Sequence, residues 1–180
     1  VQHGTSAKDV IFAVATDTSG NVFISGYTAG NLDSNTSSGG DDLILIKYNS
    51  SGTRQWTQQY GSSGSDYARG VSLDSSGNIY VVGDTSGGLG SNSNSGSEDL
   101  FLIKYDSSGN LQWTKQLGTF TNDVAFDVAT DFSGNSYVTG YTGGSLDSNT
   151  HSGELDLFLV KYDTSGNKSW TKQLGTSTSD

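Results

Sequence analysis

Gly4, Gly61, Gly118 and Gly175 stand 57 residues apart, and the register between them never slips. The same phase carries Asp9, Asp66 and Asp123, then Asp17, Asp74 and Asp131, then Lys47, Lys104 and Lys161. Leu32, Leu89 and Leu146 also match, and Trp56, Trp113 and Trp170 close the set. An internal repeat of this length confines the chain to architectures that stack one supersecondary unit.

Each period holds four short stretches rich in Val, Ile, Phe, Tyr, Thr and Trp, which favour strands. In the first copy these are strand A, Phe12–Asp17, and strand B, Asn21–Thr28, then strand C, Asp42–Tyr48, and strand D, Thr53–Tyr60. Asp17-Thr18-Ser19-Gly20-Asn21 and Asn49-Ser50-Ser51-Gly52 read as hairpin turns. Their Asp or Asn can bond the backbone two residues on, and their Gly supplies the positive φ of a bulged turn. Strand C is apolar on both faces, with Leu43 and Leu45 pointing one way and Ile44 and Ile46 the other. Such a strand must be covered on both sides. A radial stack of sheets does this, so the expected fold is all-β: a β-propeller of four-stranded antiparallel blades, three in this chain. The blades fall at about 4–60, 61–117 and 118–174, with 175–180 beginning a further repeat, and 1–180 reads as one propeller segment. No stretch sustains a helical period, so essentially no helix is expected.

The recurring strings are DSSGNIYVVG at Asp74–Gly83, DLFLIKY at Asp99–Tyr105 and SGNLQWT at Ser108–Thr114. They resemble the SBBP family of bacterial β-propeller repeats and, more distantly, NHL repeats. The resemblance runs three times over nearly the whole chain. It implies a propeller blade from a secreted or surface-exposed bacterial protein, and it brings no catalytic residues with it.

The net charge is −10, which argues against nucleic acid or an anionic membrane as the main partner. The chain has no Cys, so disulfides and thiolate metal sites are excluded. Propellers close with about four to eight blades, and three are too few. Val1-Gln2-His3 aligns with Gln58-Gln59-Tyr60, the end of a strand D, and Gly175 to Asp180 aligns with Gly4 to Asp9. The exposed end faces are expected to be covered either by a second copy, giving a six-bladed homodimeric ring, or by further blades of a longer array.

The A–B and C–D turns should share one rim and the longer B–C and D–A loops the other, which makes the second rim the expected binding face. In the B–C loops, Asp33 and Asn35, with Asp147 and Asn149 in the third copy, are hard oxygen ligands at alternate positions, a pattern suited to Ca²⁺. The competing reading is that they make local turns, and the second copy has Gly90 where the others have Asp. No other cofactor is expected. Lys47 and its equivalents are expected to pair with Asp9, Asp66 and Asp123 between blades, and the three Trp to pack between blades rather than serve a sugar. There is no nucleophile elbow and no phosphate loop. The expected function is therefore a non-catalytic protein-interaction or structural scaffold, with a carbohydrate-binding propeller as the alternative.

Overall fold

A computed structural model describes residues 3–178. It contains twelve strands in three antiparallel sheets. The first sheet is β1 (Asp9–Thr16), β2 (Val22–Thr28), β3 (Asp42–Tyr48) and β4 (Arg54–Tyr60). The second is β5 (Asp66–Leu73), β6 (Ile79–Thr85), β7 (Asp99–Tyr105) and β8 (Leu111–Leu117). The third is β9 (Asp123–Thr130), β10 (Ser136–Thr142), β11 (Asp156–Tyr162) and β12 (Lys168–Leu174). Each sheet is a meander, paired in chain order. The all-β, three-bladed architecture expected from the repeat is thus present. Strand C falls on the expected residues. Strand A begins at Asp9, three residues earlier than its apolar run marks, and β2 and β4 each begin one residue later than expected. The helical content of the described residues is a single 3₁₀ turn at Leu146–Ser148.

The blades stack face to face. Leu43 and Leu45 of the first blade are fully buried against Ala68, Val81, Phe101 and Ile103 of the second. Leu100 and Leu102 of the second blade are buried in the same way against Ala125, Val138, Phe158 and Val160 of the third. Odd and even positions of each strand C therefore face opposite neighbours, which is why both must be apolar. Contacts between blades concentrate on β1, β5 and β9, so the first strand of each sheet lies innermost. Gly20 packs against Ser50, Gly77 against Ser107 and Gly134 against Thr164, which puts the A–B and C–D turns on one rim.

Candidate functional site

The opposite rim is built from the B–C and D–A loops, and a repeated set of buried polar groups holds it. Gln59 accepts a hydrogen bond from the Leu32 backbone N–H through its Oε1 at 2.9 Å and donates through Nε2 to Asp42 at 2.8 Å. Gln116 does the same with Leu89 and Asp99, and Gln173 with Leu146 and Asp156. Each clamp seats a leucine that is at most 2 % exposed, so the loop is anchored apolar-side in. The D–A loops are held by the in-phase aspartates. Asp66 accepts from the Ser62 backbone N–H at 2.7 Å and from the Thr85 hydroxyl. Asp123 accepts likewise from Thr119 and Thr142. Burial pushes the carboxyls of Asp66 and Asp123 above the usual aspartate range even though these donors pull the other way. Loop joins loop across blades, the Asp66 N–H donating to Asp41 O at 2.6 Å and the Asp123 N–H to Glu98 O at 2.7 Å.

The residues singled out for calcium sit on this rim in local roles. Asp33 is ion-paired with Arg54, bonded to Thr57, and lies 3.0 Å from His3 Nε2. Burial would raise its pKa, but Thr57, His3 and Arg54 together hold it below the usual range. Asp147 is engaged by Lys168 and Thr171. Asn35 and Asn149 turn their amide N–H groups onto Leu32 O and Leu146 O, each at 2.8 Å. Asp33 and Asp147 both have φ of 51°, and Gly90 at the same position has φ of 62°. The Gly in the second copy thus meets a left-handed backbone requirement that Asp meets elsewhere. Among the described residues no three His, Asp or Glu side chains gather in a metal-binding group.

Two cross-blade expectations resolve differently. The pairing of Lys47 with Asp9, Asp66 or Asp123 is corrected: Lys47 Nζ donates to Ser107 O of the next blade at 3.4 Å and lies over the Phe23 ring. Lys104 repeats this with Thr164 O at 3.2 Å and the Tyr80 ring. The aspartates are already satisfied by hydroxyls and backbone at the far rim, so the ammonium takes a backbone carbonyl instead. Trp56 and Trp113 pack between blades as expected, whereas Trp170 meets Tyr137 of its own blade and is 36 % exposed. A Cβ on Gly109 would lie 3.0 Å from the Trp56 ring, and one on Gly166 would lie 3.0 Å from the Trp113 ring.

One cluster escaped the sequence reading altogether. Each innermost strand carries a β-bulge, and the extra residue is Phe12 in β1, Arg69 in β5 and Phe126 in β9. Bulges re-aim a side chain, and here the three meet. The Arg69 guanidinium lies 5.5 Å from the Phe12 ring and 5.8 Å from the Phe126 ring. Asp84, fully buried, orients it through a hydrogen bond from Arg69 Nε. Position 27/84/141 follows the bulge position, with Tyr27 against Phe12 and Tyr141 against Phe126 at centroid distances of 5.7 and 5.6 Å. Two blades thus have a Phe–Tyr pair where the middle blade has Arg–Asp. The signal available in the sequence was this paired exchange, visible once the copies are aligned in columns.

A relative from Acanthamoeba polyphaga mimivirus, an uncharacterized WD repeat-containing protein, is 28 % identical over 126 residues, or 61 % of this chain. The regulatory protein FlaEY of Caulobacter vibrioides is 32 % identical over 100 residues, or 51 % of this chain. The chain spans only 9 % and 10 % of the lengths of these two proteins. The family model described as a β-propeller repeat, SBBP, matches residues 2–33, 55–90 and 112–147. The second and third matches each begin in the last strand of one sheet and run through the first two strands of the next, and together the three cover more than half of the sequence. With its repeat, its meandering blades and these three matches, the chain belongs to the SBBP β-propeller repeat family.

Proposed function

We propose that this chain is a non-catalytic scaffold. In this reading it works outside the cell, closes into a ring with further blades of the same repeat, and docks a protein partner on the rim of B–C and D–A loops. The observation that carries it is the Gln–Asp clamp, which fixes three alike loops on one rim while leaving their tips exposed. Ser34, Thr36 and Ser38, and the second-copy residues Ser91, Ser93 and Ser95, all point to solvent. A rigid frame with exposed loop tips is the usual arrangement for recognition. The relatives named as repeat-containing and regulatory proteins support the scaffold reading. The Gly-, Ser-, Thr- and Asn-rich composition supports the extracellular one.

A tip exchange tests this. Replacing Thr36, Ser38, Ser93 and Ser95 by Lys should leave the thermal midpoint within several degrees, since each exposed change is worth about 0.5 kcal/mol or less. Crosslinking on intact source cells should recover protein partners with the natural tips and lose them with the exchanged ones. Unchanged partners with the exchanged tips would refute the rim, and binding on a glycan array in place of protein partners would favour a lectin.

A further inference from the structure

One loop tip on the B–C and D–A rim is unlike its equivalents. Ser6, Ser63 and Ser177 stand in phase with Phe120, and all four are exposed. Phe120 is 80 % exposed. Ser63 and Phe120 each lie at a junction with a blade on both sides, so their exposure comes from the loop itself. Serine at the other tips shows that the fold needs no ring there. The backbone beneath the ring is fixed. Gly96 of the preceding blade lies so close to Thr119 and Phe120 that a Cβ has no room, as Gly39 does beneath Ser63. The Thr119 N–H donates to Asp123 at 2.6 Å, and the Thr119 and Thr121 hydroxyls share a hydrogen bond at 2.9 Å. A loop already ordered costs little to order on binding.

Phe120 forms one wall of a cleft of about 320 Å³ with Ser97, Thr121, Asn122, Leu155 and Glu154. Gly40 and Ser97 stand in phase with Glu154, so the ring and the carboxylate both belong to the third copy alone. Asp33, Asp84 and Asp147 are answered by Arg54, Arg69 and Lys168, whereas Glu154 is exposed and, among the described residues, is in no ion pair. The chain shows near its own axis what a ring and a carboxylate can hold together. Arg69 lies over the Phe12 and Phe126 rings while Asp84 takes its Nε. The cleft presents the same two kinds of group on the outside of the molecule.

Resting on the reading of this rim as the docking face, we infer that Phe120 and Glu154 form a site for an arginine side chain of the protein partner. The guanidinium lies over the Phe120 ring and donates to the Glu154 carboxylate. A ring face attracts a cation through its quadrupole, and a planar guanidinium can stack on a ring and bond a carboxylate at once, which a lysine ammonium does less well. The net charge of −10 favours a partner of the same basic character. A site carried by one copy in three also gives the rim an orientation that three alike tips could not.

A random peptide library displayed on phage, selected on the whole chain and depleted on Phe120→Ser, supplies the probe. The retained peptides should carry arginine. A synthetic copy of the strongest should bind Phe120→Ser and Glu154→Gln roughly tenfold or more weakly than the natural chain. Replacing its arginine by citrulline, which keeps the shape and drops the charge, should cost a similar factor. Both variants should stay as fully folded as the natural chain, because serine already stands at the other tips and position 154 is exposed. The inference is overturned if no peptide is retained, if the retained peptides lack arginine, or if they bind Glu154→Gln as well as the natural chain. Glycan binding that Phe120→Ser abolishes would overturn it in favour of a sugar. A source-cell partner that the B–C tip exchange loses and Phe120→Ser keeps would sink this site and leave the rim reading standing.

Discussion

Removing Gln116 strips the Leu89 N–H and Asp99 of a partner at once, in a buried setting. Gln116→Ala should cost about 1–3 kcal/mol in chemical denaturation, the range for leaving buried polar groups unsatisfied. Asp66 carries a pH signature of its own. Its folded-state pKa is raised above the ordinary 3.8 by burial, so the folded state holds that proton more tightly than the unfolded chain. The associated stability is full below the ordinary value and is lost as pH rises through the raised one. The stability of Asp66→Asn relative to the natural protein should therefore improve as pH rises through that window. A flat difference in urea titrations between pH 3 and 7 would contradict this. Asp33 and Asp147 are already held by Arg54 and Lys168. Calcium in millimolar excess over EDTA should leave the melting temperature unchanged.

At the scale of elements, the bulge in strand A decides most. Arg69→Ala leaves the Asp84 carboxylate buried without its cation and should destabilise by about 3 kcal/mol or more. The double change Arg69→Phe with Asp84→Tyr installs the pair found in the flanking blades. It should recover most of that loss, as read by a double-mutant cycle in denaturant. The same bulge explains which parts of the fold were legible. Strand C and the turns could be read because apolar runs and Asp-x-Ser-Gly signals act locally. The start of strand A could not, because the extra residue at Phe12 breaks the alternation on which strand reading depends, and so Asp9 to Ile11 looked like loop. The loop anchors were half visible: Leu32, Asp42 and Gln59 each repeat, but their convergence depends on sheet register. The aspartates and lysines in phase were visible as a set. Which of them meet was not, because blade rims sit at opposite ends of strands whose length in space the sequence does not mark.

For the whole molecule, charge opposes the packed state. The 180 residues carry a net charge of −10. Self-repulsion of like charges is screened as ionic strength rises, with a Debye length near 30 Å at about 0.01 M and near 8 Å at about 0.15 M. The thermal midpoint should therefore rise with added salt, the reverse of a fold held by surface ion pairs. Melting curves in a salt series read it directly.

The single Arg–Asp blade between two Phe–Tyr blades also bears on how such a gene can grow. Unequal crossing-over between copies adds or removes a whole blade without disturbing the phase of its neighbours. A new copy of a Phe–Tyr blade brings only rings to the axis. A new copy of the middle blade beside the original would set two guanidinium groups where one now lies between two rings. Such an array should therefore lengthen more readily by copying the flanking blades than by copying the middle one.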